Sequence, residues 1–282
     1  EYNANFKRFQ KHIKPGKEGF LKSAYSAYRE RSLGLGAMGF HSYLQSRRIP
    51  FEGIYATGFN YKAFKHLKRH SLRATERLAD ERGESPDISG SGRRNAHLLA
   101  VAPNASSSII CGGTSPSIEP YRANVYTHKT LSGSFQVKNK YLEEVLKDKG
   151  LKKDELSSMW KDIAGNEGSV QHLDILTNDE KELFKTANEI DQIWIIEHAS
   201  KRQEFICQAQ SVNLFFTIPT ATEPQEVHDE YMQYVNDVHW YGMNKLKSLY
   251  YFRTNAARNA ENVNTKIQRI KLDDAECIAC EG

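Results

Sequence analysis

One stretch constrains this chain more than any other: RRNAHLLAVAPNASSSIICGGTSPSIEP, from Arg93 to Pro120. Ala96 to Ala102 is a short apolar run that reads as a buried strand. Pro103, Asn104, Ala105, Ser106 and Ser107 follow it as a turn of small and polar residues, continued by Ser108. A strand that ends in such a turn presents peptide N–H groups and hydroxyls at its carboxyl end, where α/β folds bind ligands. The donors are mostly peptide groups, so the turn can wrap a phosphate without a lysine. The same residues also suit a plain polar loop leaving a strand.

The 282 residues are enough for one large or two ordinary domains with a real core. Apolar residues make up 39%, and no run approaches the ~20 residues of a membrane span, so no membrane partner is expected. The net charge of +4 is modest for this length and does not argue for nucleic acid. The first residues are polar and basic rather than leader-like, and four cysteines without a disulfide framework fit a reducing cytoplasm.

Residues 1–27 read as a divergent arm, with polar helix from Tyr25 to Arg31. Gly34, Gly36 and Gly39 spell G-x-G-x-x-G, the pattern of a dinucleotide-binding module. That module needs a buried strand before its first glycine, and the preceding AYSAYRERSL is charged and helix-like. Glycines that allow close helix packing are the better reading. Phe59 to Gly83 is an amphipathic helix stopped at Gly83. Tyr121 to Val137 alternates as short strands or a hairpin, and Asn139 to Asn178 is helical with breaks at Gly150, Gly165 and Gly168. Asp179 to Gln203 reads as one helix with Asp179 as its N-cap. Phe205 to Ile218 reads as a strand pair or one long buried strand, and Pro224 to about Tyr251 as a further helix. Cys111 and Cys207 read as buried, inert thiols. Residues 254–282 lack an apolar face and read as a flexible tail.

Two pairs could carry chemistry. Tyr250 and Tyr251 are adjacent phenols, able to lose an electron and a proton together, and equally suited to simple packing. Cys277 and Cys280 form C-x-x-C near the chain's end. A zinc half-site would need a second ligand pair nearby, which the sequence lacks, so no metal is expected. A dithiol on a mobile tail can instead reach a buried disulfide, exchange with it and swing out for re-reduction.

LLAVAPNASS with SIEP resembles the phosphate-binding strand and loop of the class I ribonucleotide reductase large (alpha) subunit. RSLGLGAMGFHSYL, FICQAQSVNLFF, LYYFRT and the terminal ECIACEG resemble the same family in the same order, so the resemblance runs from about Tyr28 to the end. In kind it is similar to the subunits of T-even-type phages.

The resemblance implies an α/β fold: the second half of a ten-stranded α/β barrel within residues 28–120, and a small C-terminal α/β domain over 121–253. It implies that Pro103 to Ser107 hold the substrate diphosphate and that Tyr250 and Tyr251 relay an oxidising equivalent. Tyr251 would face the small (beta) subunit and Tyr250 the active-site cysteine, while Cys277 and Cys280 would shuttle electrons from thioredoxin or glutaredoxin. The chain itself would bind no cofactor; the di-iron tyrosyl-radical centre belongs to the small subunit. The family also needs a thiyl-forming cysteine in an Asn-x-Cys-x-Glu loop, and the sequence contains none. The chain is therefore expected to be one piece of a split subunit, inactive without an amino-terminal half. The alternatives are a non-catalytic interaction fragment and the dinucleotide-binding module at Gly34 to Gly39.

Overall fold

The structure is a computed structural model and describes residues 7–130 and 133–254. Four extended segments run parallel, and each is reached from the last by a crossover containing helix. Residues 33–35 pair with 97–101 through Leu35 and Leu99, and 97–101 pairs with 208–211 through Val101 and Gln210. The bonds alternate sides: Leu35 N–H donates to the Leu98 carbonyl at 2.8 Å, and Ser211 N–H to the Val101 carbonyl at 2.9 Å. Farther along the same stave, β3 (Leu214–Phe216) pairs in parallel with β4 (Phe252–Thr254). The predicted strand at Ala96–Ala102 is thus the middle stave, with Leu98, Leu99 and Val101 buried. Parallel staves buried between helices are the reason this run is nearly continuous in apolar residues.

The helices are α1 (Lys22–Glu30), α2 (Phe40–Ser46), α3 (Ile54–Arg82), α4 (Ala105–Ile110), α5 (Lys140–Asp148), α6 (Lys153–Gly165), α7 (Asn178–Leu183), α8 (Gln192–Gln203) and α9 (Gln225–Lys245). Helix α3 stops at Gly83, whose φ of +80° suits glycine. The hairpin of β1 (Val125–Thr130) and β2 (Gly133–Lys138) is antiparallel, with Val125 opposite Lys138.

The single helix predicted over Asp179–Gln203 is two. Thr177 caps α7 in a reciprocal capping box with Glu180, so Asp179 lies in the first turn rather than at the cap. Asp191 caps α8 by accepting the Ile193 N–H. Between them Phe184, Ala187 and Ile190 go into the core, and the Ala187 N–H is taken by the Tyr121 carbonyl at 2.7 Å. An apolar periodicity persists across the break because both helices and the link bury the same side of the chain.

One apolar cluster joins α2, α8, β3 and α9 around Phe51, Ile196 and Leu214; a second joins the hairpin to α5–α7 around Leu146 and Ile163. Arg202 on α8 is 1% exposed. Its Nε donates to Gln210 Oε1 at 2.8 Å and its Nη1 to Asn60 Oδ1 at 3.1 Å, tying α3, α8 and the 208–216 stave together. Burial pulls its pKa down to about 9, and the faces of Phe40 and Phe64 lie beside the guanidinium.

Candidate active site

The middle stave ends in the predicted loop. Asn104 adopts a left-handed φ of +51°, a conformation asparagine tolerates, and reverses the chain into α4. Its carbonyl accepts the Ser108 N–H at 3.1 Å, and Ser108 Oγ donates to the Ala105 carbonyl at 2.7 Å. The first N–H groups of a helix have no intrahelical acceptor, which leaves those of Ala105, Ser106 and Ser107 for outside partners. These three residues are exposed.

Tyr250 and Tyr251 were expected at a helix end. They stand instead on the approach to β4, because α9 finishes at Lys245 and the chain folds back with Leu249 packed over Gly242. A Cβ at Gly242 would lie 3.0 Å from Leu249 Cδ2 and 3.3 Å from Ile196 Cδ1, so the bare glycine lets these side chains close over α9. The Tyr250 N–H donates to the Val212 carbonyl at 2.9 Å, and the Tyr251 carbonyl accepts the Leu214 N–H at 2.9 Å. The two ring centroids are 4.0 Å apart at an interplanar angle of 42°. Both side chains are about half exposed. Hydrogen bonding with Tyr251 holds the Tyr250 phenol above its ordinary pKa, and the Arg253 charge opposes that rise.

A cavity of about 910 Å³ is lined by Ala105 and Ser108 on one side and by Tyr251 and Arg253 on another, with Tyr121 and Arg122 between. It brings the loop and the tyrosine strand together. Pro103, Asn104, Ser106, Ser107 and Tyr250 do not line it. Tyr121 is fixed from behind, where His41 Nδ1 accepts its N–H at 3.0 Å and Ser42 Oγ lies 2.6 Å from its hydroxyl. Burial keeps that phenol protonated, pushed up to about 12, and keeps the His41 ring neutral, pulled down to about 3.

Sequence reasoning missed Glu119, Asn213, Arg122 and Arg253, which surround the tyrosine strand. Glu119 and Asn213 are buried, and Asn213 Nδ2 donates to Glu119 Oε1 across the site. The available signal was a lone acid in SIEP and a lone amide in SVNL, each amid apolar neighbours.

The glycine pattern has a structural explanation. A Cβ on Gly36 would lie 2.8 Å from the Ala100 carbonyl oxygen, and one on Gly34 would lie 3.3 Å from Ala100 Cβ. These glycines let the first stave approach the second, so the close packing is between extended segments rather than helices. Gly39 is left-handed at φ +78° and abuts Thr114.

Cys111 is exposed at the end of α4, against the expectation of burial. Cys207 is partly buried, and its Sγ accepts the Leu98 and Leu99 N–H groups at 3.0 and 3.2 Å. Burial pushes this thiol up, but those peptide donors with Lys68 outweigh it, so its pKa lies below that of an ordinary cysteine. Cys277 and Cys280 lie outside the described residues. Among the described residues no three His, Cys, Asp or Glu side chains form a metal-binding group, and no helix is long and apolar enough to cross a membrane.

The family profile described as ribonucleotide reductase, barrel domain, matches residues 13–91 and 85–252. The chain is 42% identical over 265 residues to the ribonucleoside-diphosphate reductase large subunit of Invertebrate iridescent virus 3, covering 93% of this chain and 40% of the relative. It is 30% identical over 304 residues to the large subunit of Caenorhabditis elegans, covering 91% of this chain and 37% of the relative. The solved class Id ribonucleotide reductase alpha subunit of Actinobacillus ureae superposes with a TM-score of 0.70 at 38% identity, covering 87% of this chain and 44% of that one. The chain thus spans less than half the length of these relatives. With the parallel staves, the loop at their carboxyl end and a profile match over most of its length, the chain belongs to the ribonucleotide reductase barrel-domain family.

Proposed function

We propose that this chain is part of a ribonucleoside-diphosphate reductase large subunit, reducing ribonucleotides to deoxyribonucleotides in the cytoplasm. The observation that carries the reading is the cavity onto which Ala105 of the loop and Tyr251 of the tyrosine pair both open. The loop and the tyrosine strand thus border one cavity, which Tyr251 lines while Tyr250, the deliverer in the proposed order, stands against its ring. In this reading the parallel staves are the second half of a ten-stranded barrel, and its centre is the active site.

Pro103 to Ser107 take the diphosphate through peptide N–H groups and serine hydroxyls. Ala105→Leu adds bulk at an exposed position, so the fold tolerates it while the phosphates meet the new side chain. We expect the KM for a ribonucleoside diphosphate to rise roughly tenfold, about 1.4 kcal/mol, with kcat little changed. An unaltered KM would remove the phosphate assignment.

The tyrosine pair passes an oxidising equivalent inward from the di-iron small subunit, Tyr251 facing that subunit and Tyr250 the reacting cysteine. In the hop between them the Tyr251 phenoxyl gains one electron and one proton and returns to phenol. Tyr250 loses one of each and becomes the phenoxyl. Contact between the rings keeps the transfer short. The thiyl-forming cysteine lies outside these 282 residues. A complement must supply it, and we take that complement to be a separate amino-terminal half. Cys277 and Cys280 return electrons from thioredoxin or glutaredoxin to the site after each turnover.

Reconstitution tests the whole reading. This chain, a polypeptide carrying the amino-terminal half, the small subunit and thioredoxin should together form deoxyribonucleotide, and omission of any one protein should stop it. With dithiothreitol in place of thioredoxin, Cys277→Ser should retain turnover; with thioredoxin it should lose nearly all of it. A stable complex without turnover would instead support a non-catalytic interaction fragment.

A further inference from the structure

Asn213 crosses between the tyrosine strand and Glu119. Its Oδ1 accepts the Tyr251 N–H at 3.1 Å, a bond the regular ladder would otherwise make, and its Nδ2 donates to Glu119 Oε1. Glu119 is 5% exposed and Asn213 2%. A carboxylate with so little water is costly unless it is paired and hydrogen-bonded. Burial pushes the Glu119 carboxyl above its ordinary range, and Arg122, Asn213 and Arg253 pull it back. Arg253 also lies over the Tyr251 ring, its guanidinium carbon 4.9 Å from the centroid, in cation–π contact. Its Nε is buried and has no hydrogen-bond partner among the described residues, and the Tyr251 ring is the contact that positions this guanidinium.

We propose that Arg253, stacked on Tyr251 in the field of the buried Glu119–Asn213 pair, is a positioning residue for the tyrosine relay: it fixes the Tyr251 ring and lays a positive charge beside both phenols. The proposal rests on the relay reading above. A nearby cation disfavours a protonated, positively charged tyrosine radical and favours loss of the proton with the electron. The guanidinium neither gains nor loses an electron or a proton. Asn213 sets the height of Tyr251 along the strand through the backbone bond.

The test places 3-fluorotyrosine at position 250 of the reconstituted enzyme and follows its phenol by fluorine NMR as the pH is raised. Arg253→Met should move the titration midpoint upward and lower turnover about tenfold. Arg253→Lys should return the midpoint toward wild type while recovering only part of the turnover, since an ammonium does not stack as a guanidinium does. Glu119→Gln should move the midpoint downward. An unmoved midpoint in Arg253→Met, with turnover within twofold of wild type, would overturn the proposal and leave the relay reading intact. If the midpoint moves as expected but Tyr250→Phe still turns over, the relay reading fails instead, and the role proposed for Arg253 fails with it.

Discussion

Tyr250→Phe is expected to leave the fold unchanged and to cut nucleotide reduction at least ~1,000-fold, equivalent to about 4 kcal/mol or more on the barrier. The side chain is about half exposed, so losing one hydroxyl costs little packing. The strand stays in place because its anchors are backbone groups, Tyr250 N–H to the Val212 carbonyl and the Tyr251 carbonyl to Leu214 N–H. What phenylalanine lacks is a dissociable proton. Its ring cannot give up an electron and a proton together, and the proposed transfer from Tyr251 has nowhere to go. The check is deoxyribonucleotide formation by the reconstituted enzyme, with circular dichroism confirming the fold. Turnover within tenfold of wild type would end the assignment of Tyr250 to the relay.

Gly168→Ala should be the most destabilising of the small substitutions, by about 3–5 kcal/mol. Gly168 has a φ of +83°, and a Cβ there would sit 2.4 Å from Ala123 Cβ and 2.9 Å from Ala123 Cα. The second contact is with backbone and cannot be relieved by a rotamer change. The Gly168 carbonyl also accepts the Asn124 N–H at 3.0 Å and Asn124 Nδ2 at 3.1 Å. Asn124 Nδ2 in turn reaches the Phe184 carbonyl, and Asn139 Nδ2 reaches Asn124 Oδ1, both at 2.8 Å. Moving Gly168 therefore disturbs a buried amide network linking α6, the hairpin and α7. Gly90→Ala is the control: its φ is +87° but nothing lies within 4 Å of the added carbon, so only the backbone strain of about 1 kcal/mol remains. Urea denaturation followed by circular dichroism measures both. Equal midpoints for the two variants would show that the contact with Ala123 is not the source of the loss.

The sequence exposed most of what local chemistry decides. The stop of α3 at Gly83, the hairpin after Tyr121 and the break at Gly150 each follow from a glycine or an alternation visible within ten residues. The turn after the middle stave was legible for the same reason, since a strand and the turn that ends it are contiguous. Apolar spacing alone misled at Asp179–Gln203, where the decisive signals were the caps Thr177 and Asp191. The Glu119–Asn213 bond joins residues 94 positions apart, and no local pattern announces such a partner. The same is true of Gly36, whose spacing suggested close packing between helices and whose real neighbour is the Ala100 backbone of an extended segment.

Adjacent residues in a pleated strand project to opposite faces, a parity that would put a sheet between the rings of Tyr250 and Tyr251. Their centroids are nevertheless 4.0 Å apart. The parity is broken because Tyr250 gives its N–H to the Val212 carbonyl and Tyr251 gives its own to the Asn213 side chain, a bulge of one residue before the ladder bond from Leu214 N–H to the Tyr251 carbonyl. A regular strand extended backward would put the Tyr251 N–H on the Val212 carbonyl in place of Tyr250 and lose the ring contact. Here an irregularity in the sheet turns nearest neighbours in sequence into nearest neighbours in space, and electron transfer, which weakens steeply with separation, depends on the second kind of nearness.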